Sequence, residues 1–342
     1  MYDEIIAFDN LYFAAHEAAR GKRYKAPIMR YMLNIEENLI NTHNHLQYDT
    51  YLPSPHRQFF VYEPKKRLIS APPFYDRVVQ HAVHQIIEPI IDKRFIYDSY
   101  ACRNGKGAHK GADRAQRFIR IVKRNHGCVY ALKADISKYF NSINHATLKR
   151  IMRKHLTCQR TLNLLDLIID QSHTDTPGVG IPIGNLTSQL FANVYLNELD
   201  QYCKHTLKAR HYVRYMDDFV ILHHDKQALH KMRAQIETWL WQNLQLKTNS
   251  KTQVFPIHAK RGRALDFLGY RIYPTHRLLR NCTVKRFKHK LKKLHKRYES
   301  GKIGLDEVSP VIASYLGCVQ HANAHNVTSH ILSKPFKRIN HD

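Results

Sequence analysis

Apolar residues recur at helical intervals over most of the chain, interrupted by a few short runs of strand type. Residues 1–50 carry the helical pattern, with a break at Gly21-Lys22-Arg23 and polar segments after Asn41. The run QFFVYE (58–63) predicts a short strand, and PKKRLISAPP after it a basic, turn-rich connection. Val78, Ala82, Ile86 and Ile90 stand four apart, which places them on one face of a helix over 74–92. A glycine-bearing basic loop, ACRNGKGAHKG (101–111), leads into a helix that runs to about Arg124. CVYALKAD (128–135) predicts a strand, and Leu148, Ile151, Met152 and Leu156 mark the inner face of the helix that follows.

GVGIPIGN (178–185) predicts a loop in which Asn185 caps the next helix, with Leu186, Leu190 and Val194 on its apolar face. Two short apolar runs, HYVRYM and FVIL, flank Asp217-Asp218 in a hairpin pattern. Leu229, Met232, Ile236 and Leu240 give a further helix, LDFLGYRIY (265–273) reads as strands, and the segment from Cys282 onward is helical. No internal repeat or long Pro/Gly/Ser linker divides the chain. Helices interleaved with a few strands and hairpins indicate an α+β sheet domain followed by a small basic helical one.

Composition sharpens this picture. The 342 residues are 43% apolar and include 20 Tyr and 14 Phe, enough to build a core and unlike a disordered chain. No apolar run approaches the ~18 residues that span a bilayer, and the start, MYDEII, lacks the features of a signal peptide. Cysteines 102, 128, 158, 203, 282 and 318 show no CxxC spacing, so neither a zinc ribbon nor a disulfide framework is expected. A reducing, cytoplasmic setting follows as the expectation. With 54 Lys+Arg against 28 Asp+Glu the net charge is +26, and nucleic acid is the partner that such an excess favours over a membrane surface. Two zones are densest. One holds Arg114, Arg117, Arg120, Lys123 and Arg124; the other, KRFKHKLKKLHKR (285–297), has eight Lys/Arg and no acid in thirteen residues.

The chemistry rests on carboxylates. A tight hairpin puts Asp217 and Asp218 at its tip, and Asp135 ends the strand CVYALKAD. Brought together, the three form a cluster that repels itself unless a cation joins it. Oxygen-only ligands select a hard ion, Mg²⁺, and two such ions ~3.5–4 Å apart are the clamp used for in-line phosphoryl transfer.

Tyr215-Met216-Asp217-Asp218 between apolar runs, the upstream Asp135-x-x-x-Tyr139-Phe140, and IPIGNLTSQLFANVYLNELD between them resemble, in order and spacing, the palm motifs of reverse transcriptases. PKKRLISAPPFYDRVVQHAV (64–83), YACRNGKGAHKG (100–111) and FLGY (267–270) extend the resemblance from about residue 10 to the end of the chain. It implies a right-hand polymerase: fingers and palm with an antiparallel sheet over 1–275, and a basic helical thumb over 276–342. Asp135 and Asp217 would be metal ligands, Asp218 a ligand or electrostatic partner, and the Ile136 carbonyl an oxygen donor. Backbone amides of Ser137, Lys138 and Tyr139 would face the triphosphate of the incoming deoxynucleotide, with Lys65 and Arg67 as clamps on its outer phosphates. Phe140 would exclude a 2′-hydroxyl. Gly184, Gln189, Tyr215 and Met216 belong to motif segments that line the substrate site. Either Lys247 or Lys251 would be the general acid near the leaving pyrophosphate. Arg114, Arg117, Lys285, Lys288, Lys292 and Lys296 would hold nucleic acid, with Leu291 and Leu294 facing inward.

Within the family the stretch is most similar to enzymes of diversity-generating retroelements, relatives of the group II intron reverse transcriptases. Most reverse transcriptases have Pro-Gln-Gly where this chain has Pro182-Ile183-Gly184. An aliphatic residue cannot make the Gln hydrogen bond to the nascent pair, so geometric checking should loosen. This resemblance implies error-prone synthesis opposite adenine, a structured RNA that supplies template and primer, a small basic helical-bundle accessory protein, and a bacterial or phage source. A phage-defence enzyme with a dedicated non-coding RNA, and a vestigial RNA-binding scaffold, are the alternatives. About 70 residues after FLGY leave room for a thumb but not for an added nuclease domain. The Gly105/Gly107 loop lacks the GK[ST] of a P-loop, and His321 and His325 have no evident third partner for zinc.

Overall fold

The computed structural model describes residues 1–62, 66–171, 176–258 and 262–337. Four helices open the chain: α1 (Tyr2–Ile6), α2 (Phe8–Ala19), α3 (Ala26–Leu33) and α4 (Ile35–Gln47). The break between α2 and α3 falls at Gly21, whose φ of 68° lies where glycine is favoured. Next comes an antiparallel hairpin, β1 (Arg57–Val61) and β2 (Arg67–Ala71), paired from Arg57↔Ala71 to Val61↔Arg67. The segment expected to be only a turn-rich connection therefore contains a strand, which its cluster of cations masks. All five β1 positions are exposed, so the hairpin projects from the body.

Helix α5 (Phe74–Asp92) buries Val78 and Ala82 and half-buries Ile86 and Ile90, the expected face. Helix α6 (Ala108–His126) stops at Gly127, held in the left-handed region at φ 74°. Strand β3 (Tyr130–Asp135) is followed by a 3-10 turn over Tyr139–Ser142, then α7 (His145–His155) and α8 (Gln159–Asp170). Helix α9 (Leu186–Gln201) is buried nearly all round and unwinds into one π turn over Tyr202–Thr206. Asn185 occupies its N-cap position but makes no capping bond, contrary to expectation; its Oδ1 is buried without a partner. Then come β4 (Tyr212–Tyr215), β5 (Asp218–His223), α10 (Lys226–Leu244), β6 (Gln253–Pro256), β7 (Leu265–Phe267), β8 (Tyr270–Ile272) and β9 (Arg277–Leu279). The basic C-terminal segment forms α11 (Asn281–Glu299), α12 (Leu305–Val319) and α13 (His325–Leu332).

The central sheet is antiparallel, in the order β4-β5-β3-β6. Its strands alternate between two cores, as the two-residue period of a strand dictates. Leu132, Ala134, Tyr212, Phe219 and Ile221 face one core with the N-terminal helices, α5 and α7–α10. Ala131, Val213, Val220 and Leu222 face the other with α6, the β7-β8-β9 sheet and α11–α13. Strand β9 pairs with β8 through Ile272↔Arg277 to Tyr270↔Leu279. The small sheet thus crosses the boundary expected at residue 275, and the thumb helices begin at Asn281. This is a right-hand polymerase architecture: hairpin fingers, antiparallel palm and helical thumb. No helix among the described residues is long and apolar enough to cross a membrane.

Candidate active site

Strand pairing sets the carboxylates. Asp135, the last residue of β3, lies opposite Asp218, the first of β5. Tyr215 pairs with Asp218, leaving Met216 and Asp217 as a two-residue turn with Met216 at φ 55°. That conformation is uncommon outside glycine, and one buried side chain holds it. Arg214, fully buried, donates through Nη1 to the Met216 carbonyl at 2.9 Å. Its guanidinium also forms a two-pronged pair with the equally buried Asp200, Nε to Oδ1 at 2.7 Å and Nη2 to Oδ2 at 2.6 Å. Asn193 Oδ1 takes a further bond from Nη1 at 3.2 Å, and the Tyr212 hydroxyl donates to Asp200. The Ile136 amide donates to the Asp217 carbonyl at 3.3 Å, tying the turn to β3.

Asp135 and Asp217 stand close enough for their carboxylates to repel each other. Burial, then repulsion from Asp135, pushes the Asp217 pKa up to about 6, against a weaker opposing pull from Arg67. Burial pushes Asp218 up to about 7, with Lys133 opposing. Asp218 turns Oδ2 toward Lys133 Nζ, 3.5 Å away, while its Oδ1 is buried without a partner. The expected three-carboxylate cluster is therefore not closed: no three His, Cys, Asp or Glu side chains among the described residues gather as one metal cage. Asp135 and Asp217 supply the facing oxygens, and Asp218 stands beside them against a lysine.

Asn249 was not foreseen. Its Nδ2 donates to Asp135 Oδ2 at 2.6 Å, its amide donates to the Asp135 carbonyl, and its Oδ1 accepts the Lys251 amide. Lys133 and Arg214 were also missed, although each is a lone cation inside an apolar strand run beside a motif carboxylate. That was the available signal.

The floor of the site is assembled by backbone bonds. Gly180 donates to the Ile143 carbonyl at 2.7 Å and Ile181 to that of Phe140 at 2.8 Å. The Ile183 carbonyl then accepts the Ser70 amide of β2 at 3.4 Å, joining this loop to the projecting hairpin. Ile183, Phe140, Gln189, Tyr215 and Met216 are all half-buried along these segments. Gly184 is required by its backbone: φ is 116°, and a Cβ there would stand 3.0 Å from the Ile69 methyl.

Several expected contacts are placed differently. The Ser137 amide donates to the Lys247 carbonyl at 2.9 Å, so it cannot also face a triphosphate. The Tyr139 side chain is buried, with its hydroxyl on the Ala192 carbonyl; Lys138 is exposed at φ 45°. Lys247 carries its ammonium over the Trp241 ring, 4.5 Å from the centroid, and Lys251 is exposed. Arg67 is close enough to influence Asp217, whereas Lys66 sits over Phe60 at 4.4 Å. Lys65 lies outside the described residues. Arg114 is half-buried and pairs with Asp98, Nε to Oδ1 at 2.7 Å. Arg117, Lys285, Lys288, Lys292 and Lys296 are exposed, and Leu291 and Leu294 are buried beneath the thumb lysines. His321 stacks on His109 at 3.9 Å.

Comparison with known proteins bears on this arrangement. Residues 57–272 match the family model described as "Reverse transcriptase (RNA-dependent DNA polymerase)". The chain is 28% identical over 263 residues to Protein YkfC of Escherichia coli K12, covering 65% of this chain and 68% of that one. It is 26% identical over 176 residues to the group II intron-encoded protein LtrA of Lactococcus lactis subsp. cremoris, 49% of this chain but only 28% of LtrA. Among solved structures, a telomerase from Candida tropicalis in complex with a fragment of telomeric RNA superposes with a TM-score of 0.53 at 13% identity. The match covers 88% of this chain and 59% of that one, which speaks for the fold. With the family model spanning more than half its length and both carboxylate-bearing strands inside the match, the chain belongs to the reverse transcriptase family of RNA-directed DNA polymerases.

Proposed function

We propose that this reverse transcriptase makes error-prone cDNA from a cognate structured RNA, in the manner of a diversity-generating retroelement enzyme. The observation that carries the proposal is Ile183. It stands half-buried in the loop that joins the Phe140 segment to β2, and an alkyl group there has no hydrogen bond to offer a base pair. Asp135 and Asp217, with the Ile136 carbonyl, would hold Mg²⁺, and the partnerless Oδ1 of Asp218 adds a further buried oxygen. The all-oxygen set fits a hard cation. Magnesium bound there would stabilise charge on the transferring phosphoryl group. The chain's own part is to orient these oxygens through Arg214 and Asn249, to meet the phosphates with Arg67, and to bar a 2′-hydroxyl with Phe140. A small basic accessory protein and a bacterial or phage setting belong to the same proposal.

The test is primer extension with the co-expressed RNA, followed by sequencing of the cDNA. Ile183→Gln offers a polar contact that strengthens with a correctly shaped pair. Discrimination should rise about tenfold, equivalent to ~1.4 kcal/mol, with errors opposite adenine falling most. Equal error spectra from two active proteins would remove Ile183 as the cause of infidelity.

A further inference from the structure

A cavity lies at the other end of the palm sheet from the carboxylates. Strand β5 leads from Asp218 to His223, five residue steps or about 17 Å at strand rise, and a cavity of about 510 Å³ opens at its far end. The C-terminal turn of α6, the segment that follows the π turn, the end of β5 and Met232 of α10 enclose it. Pockets for small molecules start at ~300 Å³, so there is room for one nucleotide.

The lining has three kinds of surface. Val122, Leu222 and Met232 contribute an apolar floor. His126, His224 and His223 form a column of stacked rings, with centroids 3.8 Å and 4.4 Å apart in succession, and His211 packs edge-on against Phe118 at 5.0 Å. Lys208 and Arg210 are exposed on the rim. Neither is within ion-pair distance of an acid among the described residues, whereas neighbouring Lys204 pairs with Asp98. Among the described residues no carboxylate lines the cavity. Asp225, next to the histidines, aims its side chain at the Gln227 amide, 2.7 Å away, as the cap of α10. Lys208, two residues after the π turn, is held in the left-handed region at φ 50°. Both features concentrate at functional sites.

We propose that this cavity is a nucleotide-binding site separate from the catalytic one, holding phosphate on Lys208 and Arg210 and a base against the imidazole column and apolar floor. Unpaired cations call for an anion, an exposed ring face favours a stacked base, and the Asn125 amide at the edge can pair with a base edge. Phosphate alone would leave the floor and the rings unused. The nucleotide is either free or the end of a single strand.

The experiment is calorimetric titration of the full chain in EDTA, which withholds any cation from the carboxylates. The probes are AMP, inorganic phosphate and a 5′-phosphorylated tetra-adenylate. AMP should bind at one site, and Lys208→Ala with Arg210→Ala should weaken it at least tenfold. These side chains are exposed, so the fold is preserved, and circular dichroism of the variant checks this. His126→Ala, which removes the exposed end ring of the column, should weaken AMP more than inorganic phosphate. A tetra-adenylate that loses affinity in parallel with AMP assigns the site to a strand end; one that is unaffected while AMP weakens assigns it to free nucleotide. Failure of AMP to bind, undiminished binding to the double variant, or inorganic phosphate binding as well as AMP would each overturn the proposal.

Discussion

At the residue scale the catalytic turn depends on a buried ion pair that carries no chemistry itself. Arg214→Met strands Asp200 at 0% exposure, which should cost about 3–5 kcal/mol in denaturant unfolding. Adding Asp200→Leu removes the stranded charge and should restore most of that stability. DNA synthesis should nevertheless stay depressed in the double variant, because the Met216 carbonyl has lost its donor and the turn bearing Asp217 its anchor. Full activity in a stable double variant would reduce Arg214 to packing. The carboxylates make a second prediction with a definite sign. Their folded pKa values, about 6 for Asp217 and about 7 for Asp218, lie above the ordinary value of an unfolded chain. The native state therefore holds more protons than the unfolded state between about pH 4 and 7, and metal-free stability declines as pH rises through that window. Asp217→Asn with Asp218→Asn should melt higher than the parent in EDTA at pH 8, by ~1–3 kcal/mol, and the gap should close near pH 4. The same variant should make no DNA while binding RNA within a few-fold. Asp217 and Asp218 were legible because adjacent carboxylates between apolar runs form a local pattern, and Asp135 because it ends a strand-type run. Asn249 was not, since its role arises from a bond to Asp135 far along the chain, and Arg214, a lone cation in an apolar run, owes its role to partners buried beneath it.

At the element scale, period alone located most helices and failed where pairing decides. Helices α5, α7, α10 and α11 carry their apolar residues on the faces that the spacing gave, and β7 and β8 fall within the expected strand segment. Strand β2 was hidden because its partner, rather than its own composition, makes it a strand: each residue from Arg67 to Ala71 faces one of β1. Arg114 is a cation read from the sequence as surface charge that also pairs with a buried Asp98. Helix α11 follows its period. Phe287, Leu291, Leu294 and His295 are buried, while Lys288, Lys292 and Lys296 stand exposed one turn apart. Replacing these three with Gln should weaken RNA binding and flatten its salt dependence. The log–log slope should fall by about 0.7 for each single-strand phosphate left unneutralised, or by about 0.9 for each duplex phosphate. Binding isotherms from 50 to 200 mM salt measure it, and an unchanged slope would make this face merely solvated.

At the scale of the whole molecule the central sheet is a partition with a core on each side, and the alternation of its strands links the two. Val220 packs with the thumb while its neighbours Phe219 and Ile221 pack with the helices of the opposite face. The sequence suggested a thumb appended after residue 275, because the density of cations beyond that point looks like a change of domain. The structure instead continues the small sheet through Leu279 and seats α11 on the core that it shares with Val213 and Val220. Local composition cannot reveal such sharing, which depends on packing between distant segments. A consequence for unfolding can be measured with the protein's own probes. Its two tryptophans, Trp239 and Trp241, are both on α10, and Trp239 packs against the core on the side away from the thumb. Phe287 of α11 stacks on Tyr315 of α12 with ring centroids 3.6 Å apart, and both rings are buried in the thumb-side core. Phe287→Ala should remove about 3–5 kcal/mol there. If the sheet couples the cores into one cooperative unit, the urea midpoint read by tryptophan fluorescence moves down together with the midpoint read by circular dichroism. A thumb that folds independently would instead leave the tryptophan transition where it was and split off an earlier dichroism step. The shared strands argue for a single shift, since no residue of β5 can lose its thumb-side packing without disturbing the neighbours that fill the other core.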